Sequence, residues 1–169
     1  YSFSVESGTI RYGFSAIKNV GEAAISEIMD EREKNGFYKS LVDFMSRSNP
    51  TKVNIRTVEY LIKAGAFDFT KINRGTLLSI LPEAASLGEA AYNDRMNGQM
   101  SIFGMMGSAK PAETKKDTEL LNSETITINE FDIFESLEIE KEVLGVYLSD
   151  HPAALFRNEI KNMGFKKIS

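Results

Sequence analysis

Two stretches of the sequence combine a lysine, small residues and a glycine, and both could hold an anion. The first is Lys18-Asn19-Val20-Gly21, leading into Glu22-Ala23-Ala24-Ile25. The second is Lys63-Ala64-Gly65-Ala66, leading towards a helix that Asn73 can start. A turn of small residues lets backbone come close to a phosphate oxygen, because glycine accepts positive φ and has no side chain to block the approach. The N–H groups that open the next helix have no intrahelical acceptor, and the helix dipole adds to their attraction for an anion. Such contacts fall on phosphate, so they position a duplex without reading its bases. Lys18 and Lys63 lie beside the two turns and add charge, whereas Glu22 stands where a phosphate would arrive and opposes it. An ordinary corner of an all-helical core has the same outline. Two corners, each preceded by Ile-Lys, shift the balance towards binding.

A third stretch, Gln99-Met100-Ser101-Ile102-Phe103, has the chemistry of a docking peptide. Gly98 and Gly104 bound it, and polar linker sequence surrounds it. Ile102 and Phe103 side by side could stabilise a complex by about 3–6 kcal/mol if fully buried, before ordering costs. Gln99 can add directional hydrogen bonds at a pocket rim. The alternative, that Ile102 and Phe103 fold back on the chain's own core, has equal standing from these five residues. The acidic cluster Glu135, Glu138, Glu140 and Glu142 reads as a solvated helix face with Lys141 among it rather than as a metal or acid/base site. His151, between Asp150 and Pro152, reads as a helix junction capped by Asp150.

The elements that position these residues follow from periodicity. Residues 1–12 alternate, with Ser7-Gly8 as a turn, and predict a short β-hairpin. From Gly13 the period becomes helical. A short helix is expected over Phe14–Lys18, then a longer one with Ala24, Ile25, Ile28 and Met29 on one face, ended by Asn35-Gly36. Ser40 with Asp43 resembles a capping box, and Asn54 and Asn73 can cap two further helices. Pro82 lies inside the last of these, which predicts a kink or division. Residues 97–129 read as a linker. A helix returns from Glu130 with Phe131, Phe134, Leu137, Leu144 and Tyr147 on its apolar side, and a last short helix is expected from Ala153 to Met163.

Composition limits the function classes. The chain has 169 residues, 42% of them apolar, which is enough for a core. It has no cysteine and one histidine, so disulfides and thiolate metal sites are excluded and no metal is expected. No apolar run approaches the roughly 20 residues needed to span a bilayer, so no membrane partner is expected. The chain opens on Tyr1 without a methionine, which points to an excised piece. Net charge is −4, but residues 1–80 carry 11 Lys and Arg against 9 Asp and Glu, while residues 81–169 carry 9 against 15. Only the first half suits phosphate, and its affinity should be weak and salt-sensitive.

Taken in order, these segments resemble the large (alpha) subunit of bacterial DNA polymerase III, a family C replicative polymerase. Ile10-Arg11-Tyr12-Gly13-Phe14 through Val20-Gly21 resembles the entry to that family's tandem helix–hairpin–helix domain. Val58 through Asp68 resembles its second motif, and Asn73 to Leu78 the helix that follows. Gln99–Gly104 is similar to its internal peptide for the sliding clamp, and Glu140–Ser149 with His151-Pro152 to the stretch before its oligonucleotide-binding-fold domain. Asn19 stands where the hairpin pattern usually has its first glycine, which Asn tolerates because it visits the left-handed region.

The resemblance implies a mainly α fold: a tandem helix–hairpin–helix domain at 1–96, a linker at 97–129 carrying a clamp-binding peptide at 99–103, and a helical extension at 130–169. It implies sequence-independent binding of double-stranded DNA through Lys18, Asn19, Val20, Gly21, Lys63, Ala64, Gly65 and Ala66. It implies clamp binding through Gln99, Met100, Ser101, Ile102 and Phe103, with other replicase subunits as possible partners in the cytoplasm. The parent protein would be a DNA-directed DNA polymerase using Mg. The aspartates of its palm domain are absent here, so this piece needs no cofactor and is expected to be inactive alone. The competing readings are a helix–hairpin–helix module of a repair or recombination protein, and a scaffold that binds only protein.

Overall fold

The computed structural model describes residues 4–6, 9–96 and 131–163. Two three-residue strands, β1 (Ser4–Glu6) and β2 (Thr9–Arg11), pair antiparallel with Val5 opposite Ile10. The Ser7-Gly8 turn, the linker with the 99–103 peptide, and residues 164–169 lie outside the described residues. The rest is helical: a 3-10 turn at Phe14–Ala16, then α1 (Glu22–Asn35), α2 (Leu41–Arg47), α3 (Ile55–Lys63), a second 3-10 turn at Asp68–Thr70, α4 (Arg74–Met96), α5 (Ile133–Leu144), α6 (Pro152–Leu155) and α7 (Arg157–Asn162).

Local chemistry sets most helix starts. Ser40 Oγ accepts the Asp43 amide at 3.0 Å, Asn54 Oδ1 accepts Thr57 N at 2.9 Å, and Asn73 Oδ1 accepts Thr76 N at 2.7 Å. Each bond satisfies one of the amides that a helix start leaves open. The box at Ser40 is incomplete, since Asp43 reaches past it to the Lys39 amide at 2.9 Å. The full capping box belongs instead to α5, where Asp132 and Glu135 accept each other's amides. Gly36, at φ 80°, ends α1.

One core holds α1 to α5. Ile25, Leu41, Leu61, Ile62, Leu77 and Ile80 are fully buried, each contributing roughly 1.5–3 kcal/mol by leaving water. Helices α2 and α4 cross in close contact, because Gly88 lets the α2 backbone at Met45 lie against it. Helix α4 runs from Arg74 to Met96 with Pro82 inside it, so of the expected kink or division the division does not occur. Pro82 is exposed, and Leu81 and Ala84 beside it are buried in the core.

Helix α5 packs on the same core, with Val143 and Leu144 inside it. Its face differs from the expected one. Leu137, Glu140, Val143 and Leu144 are buried, Phe134 is exposed, and Tyr147 lies beyond the helix end. Glu140 is therefore no part of a solvated acidic face. It accepts the amides of Leu148 and Ser149, both at 3.0 Å, and lies 3.9 Å from Arg74. The final helix is two short ones, and His151, not Asp150, caps the first: its Nδ1 accepts the Ala153 amide at 3.1 Å. Asp150 accepts the His151 amide.

Candidate nucleic-acid interface

The two glycine corners have different geometry. At the first, the 3-10 turn closes with Ala16 N donating to Gly13 O and Ile17 N to Phe14 O. Ile17 and Val20 are buried and anchor the corner, while Lys18, Asn19 and Gly21 are exposed. Val20 N donates to Ile17 O at 3.3 Å, and Asn19 takes the left-handed conformation at φ 61°. Gly21 then caps α1 in extended conformation, φ −80° and ψ 160°, with no side chain accepting from the helix start. Its carbonyl receives both Ala24 N and Ile25 N at 3.1 Å. A Cβ placed on Gly21 would meet nothing within 4 Å. The corner is thus an open helix start with accessible backbone and Lys18 beside it. Glu22, exposed in the first turn, is the one acidic side chain there and works against an anion.

The neighbouring elements fix this corner. Lys18 N donates to Val143 O at 3.0 Å, so that amide serves the protein's own backbone and is not available to a ligand. The Thr57 hydroxyl of α3 lies 3.4 Å from Asn19 O. The side chain of Lys18 carries the charge that the sequence assigned to this turn.

The second corner uses its own donors. Gly65 N donates to Ile62 O and Ala66 N to Leu61 O, both at 2.9 Å, with Gly65 left-handed at φ 83°. This pair of bonds closes the end of α3 as a Schellman motif and satisfies its last carbonyls. Ala64 N likewise donates to Tyr60 O. Above Gly65 sits an ion pair: Arg74 Nε and Nη2 reach the two Asp68 carboxylate oxygens at 3.0 and 2.7 Å, and Arg74 Nη1 donates to Lys63 O at 3.2 Å. A Cβ on Gly65 would collide with the Arg74 guanidinium and lie 2.9 Å from Asp68. Lys63 is bound to Glu59 at 2.7 Å, a bond that raises its pKa, and lies over the Tyr60 ring. The following helix starts nine positions after Gly65, and Asn73 already caps it. The expected phosphate donors Gly65 and Ala66 are therefore spent inside the protein. The physical reason is that Gly65 ends one helix instead of opening the next.

Arg74 and Glu140 shape the second corner; the sequence did not mark Arg74 as part of it and placed Glu140 on a solvated face. Their partners lie at separations that no helical period marks. Among the described residues no group of three or more histidine, aspartate or glutamate side chains is arranged to hold a metal ion. No helix among them is long and apolar enough to cross a membrane.

Comparison with known proteins agrees with this geometry. A helix-hairpin-helix motif family matches residues 1–77, the part containing both corners. The DNA polymerase III subunit alpha of Deinococcus radiodurans is 41% identical over 153 residues, 89% of this chain and 11% of that protein. The Pasteurella multocida subunit is 37% identical over 161 residues, and the Borreliella burgdorferi subunit 35% over 158, each match covering 13% of the longer protein. The chain therefore spans only a small part of the relatives it matches. Along almost its full length the chain is similar to the DNA polymerase III alpha subunits.

Proposed function

We propose that this chain is the duplex-DNA-binding and clamp-tethering segment of a bacterial replicative DNA polymerase. The observation that carries the reading is the corner at Asn19–Gly21, an exposed helix start without a side-chain cap, beside Lys18. Phosphate oxygens of either strand fit such donors whatever the base sequence. With the donors of the second corner spent internally, Lys63, Ala64, Gly65 and Ala66 contribute at most side-chain charge and shape. The affinity of the segment alone is then weak, and residence on DNA depends on a second attachment.

The peptide Gln99–Phe103 supplies that attachment in this reading, by docking a sliding clamp. Two weak contacts on one body give long residence through effective concentration. Both flanks of the peptide, the end of α4 and the start of α5, belong to helices packed on the core that carries the first corner, which supports tethering DNA and clamp to one body. Polymerisation, with its Mg, belongs to other parts of the parent protein, which would work in the cytoplasm beside other replicase subunits.

Fluorescence anisotropy on labelled duplexes of two unrelated sequences tests the DNA contact. Binding should be weak, equal for the two sequences, and steeply reduced between about 50 and 200 mM salt. Absence of binding at low salt, or a strong preference for one sequence, rejects the reading. Capture of the chain on an immobilised bacterial sliding clamp tests the tether, and Phe103→Ala should abolish it at unchanged helix content.

A further inference from the structure

The open corner is held from a part of the chain more than 120 positions away. Tyr12 donates its hydroxyl proton to Leu144 O at 2.7 Å, across 132 positions of sequence, and Lys18 N donates to Val143 O at 3.0 Å. The two donors bracket the 3-10 turn Phe14–Ala16, one before it and one after it. The two acceptors are consecutive carbonyls in the last turn of α5, where helix carbonyls lack intrahelical donors. Gly145, left-handed at φ 78°, turns the chain away directly after them. Val143 and Leu144 also place their side chains in the core that holds Ile17 and Val20.

We propose that the last turn of α5 positions the phosphate-facing corner and that Tyr12 is its positioning residue. This inference rests on the DNA-binding reading above. Lys18 N bound to Val143 O fixes the Ile17–Lys18 peptide plane. With that plane fixed, Asn19 is held in its left-handed conformation and the amides after Gly21 keep one direction. Tyr12 holds the adjoining carbonyl, so α5 cannot slide along the turn. The C-terminal segment is in this way part of the DNA-binding unit and not an appendage to it. Tyr12 touches no phosphate itself.

The test uses the full chain carrying Tyr12→Phe, which keeps the ring and removes the hydroxyl. Asn35→Ala serves as control: it removes the exposed Asn35–Glu31 bond at the other end of α1, about 20 Å from Gly21. Three quantities are read: amide exchange at Lys18 without DNA, duplex affinity, and the slope of log affinity against log salt. For Tyr12→Phe the Lys18 amide should exchange faster, and affinity should fall about fivefold, the worth of one ordinary hydrogen bond. The salt slope should shrink in magnitude by about 0.9, the share of one phosphate contact. Asn35→Ala should leave all three unchanged. A change in the salt slope separates positioning from plain loss of stability, and circular dichroism checks that both variants keep their helix content. Full affinity and an unchanged slope in Tyr12→Phe overturn this inference alone. No duplex binding by the unaltered chain overturns the DNA reading and takes this inference with it.

Discussion

Glu140 and Ser149 are joined twice, because one carboxylate accepts both the hydroxyl and the amide of the serine. The Leu148 amide adds a third bond, at 3.0 Å, so a single buried side chain fastens the turn that follows α5. Burial by itself pushes the Glu140 carboxyl up. The Ser149 and Leu148 donors, with Arg74 nearby, outweigh burial and hold its pKa below the ordinary glutamate value. A carboxylate with a lower pKa folded than unfolded contributes stability above its unfolded pKa, and loses it as pH falls through the folded value. Glu140→Gln should therefore cost about 1.5–3 kcal/mol at neutral pH, the worth of bonds to a charged group. The difference between variant and parent should narrow as the solution is acidified through the carboxylate range. Urea denaturation at several pH values checks both statements.

The two corner glycines should respond in opposite ways to a side chain. Gly65 has φ 83° and lies under the Arg74–Asp68 pair, so Gly65→Ala should destabilise the fold by about 1–2 kcal/mol for the left-handed backbone alone. Gly21 is open and extended, so Gly21→Asp should preserve the fold or stabilise it by a few tenths of a kcal/mol as a better N-cap. The same aspartate occupies the helix amides and repels phosphate, so it should reduce duplex affinity at least tenfold, roughly 1.4 kcal/mol. Thermal unfolding and anisotropy on both variants separate the two roles.

Charge at the corners should count unequally. Lys18 is exposed beside the open helix start, whereas Lys63 is tied to Glu59 and lies over Tyr60. Lys18→Glu should weaken duplex binding uniformly across sequences and reduce the salt slope by about one contact. Lys63→Glu should have a smaller effect on affinity and should weaken α3 through like-charge repulsion with Glu59, by about 0.2–0.5 kcal/mol. Equal losses of affinity in the two variants would count against the asymmetry described above.

Gly88 allows α2 and α4 to lie in close contact. A Cβ there would lie 2.8 Å from the Met45 carbonyl carbon, and backbone cannot yield as a flexible side chain can. Alanine is the better helix former by about 1 kcal/mol. Gly88→Ala should nonetheless destabilise, because forcing apart packed helices costs typically 1–3 kcal/mol. Denaturant midpoints give the sign, and a stabilised variant would show that α2 and α4 can separate freely.

By itself the sequence determined the features whose causes are local. Ser40, Asn54 and Asn73 each bond an amide three positions on, and Gly36 ends α1. Those signals are complete within one turn of chain, so they are legible without a structure. The open start at Gly21 was legible for the same reason. Tertiary structure alone decided what lies over each corner. Gly65 is covered because Arg74 turns back to Asp68 and the Lys63 carbonyl, and Glu140 is buried because residues 145–150 fold over it. The Lys18 amide is taken by a carbonyl of α5, on the far side of residues 97–130 in the sequence. A hydrogen bond between residues more than a hundred positions apart leaves no period in either segment, so only the folded chain brings its two ends to one place.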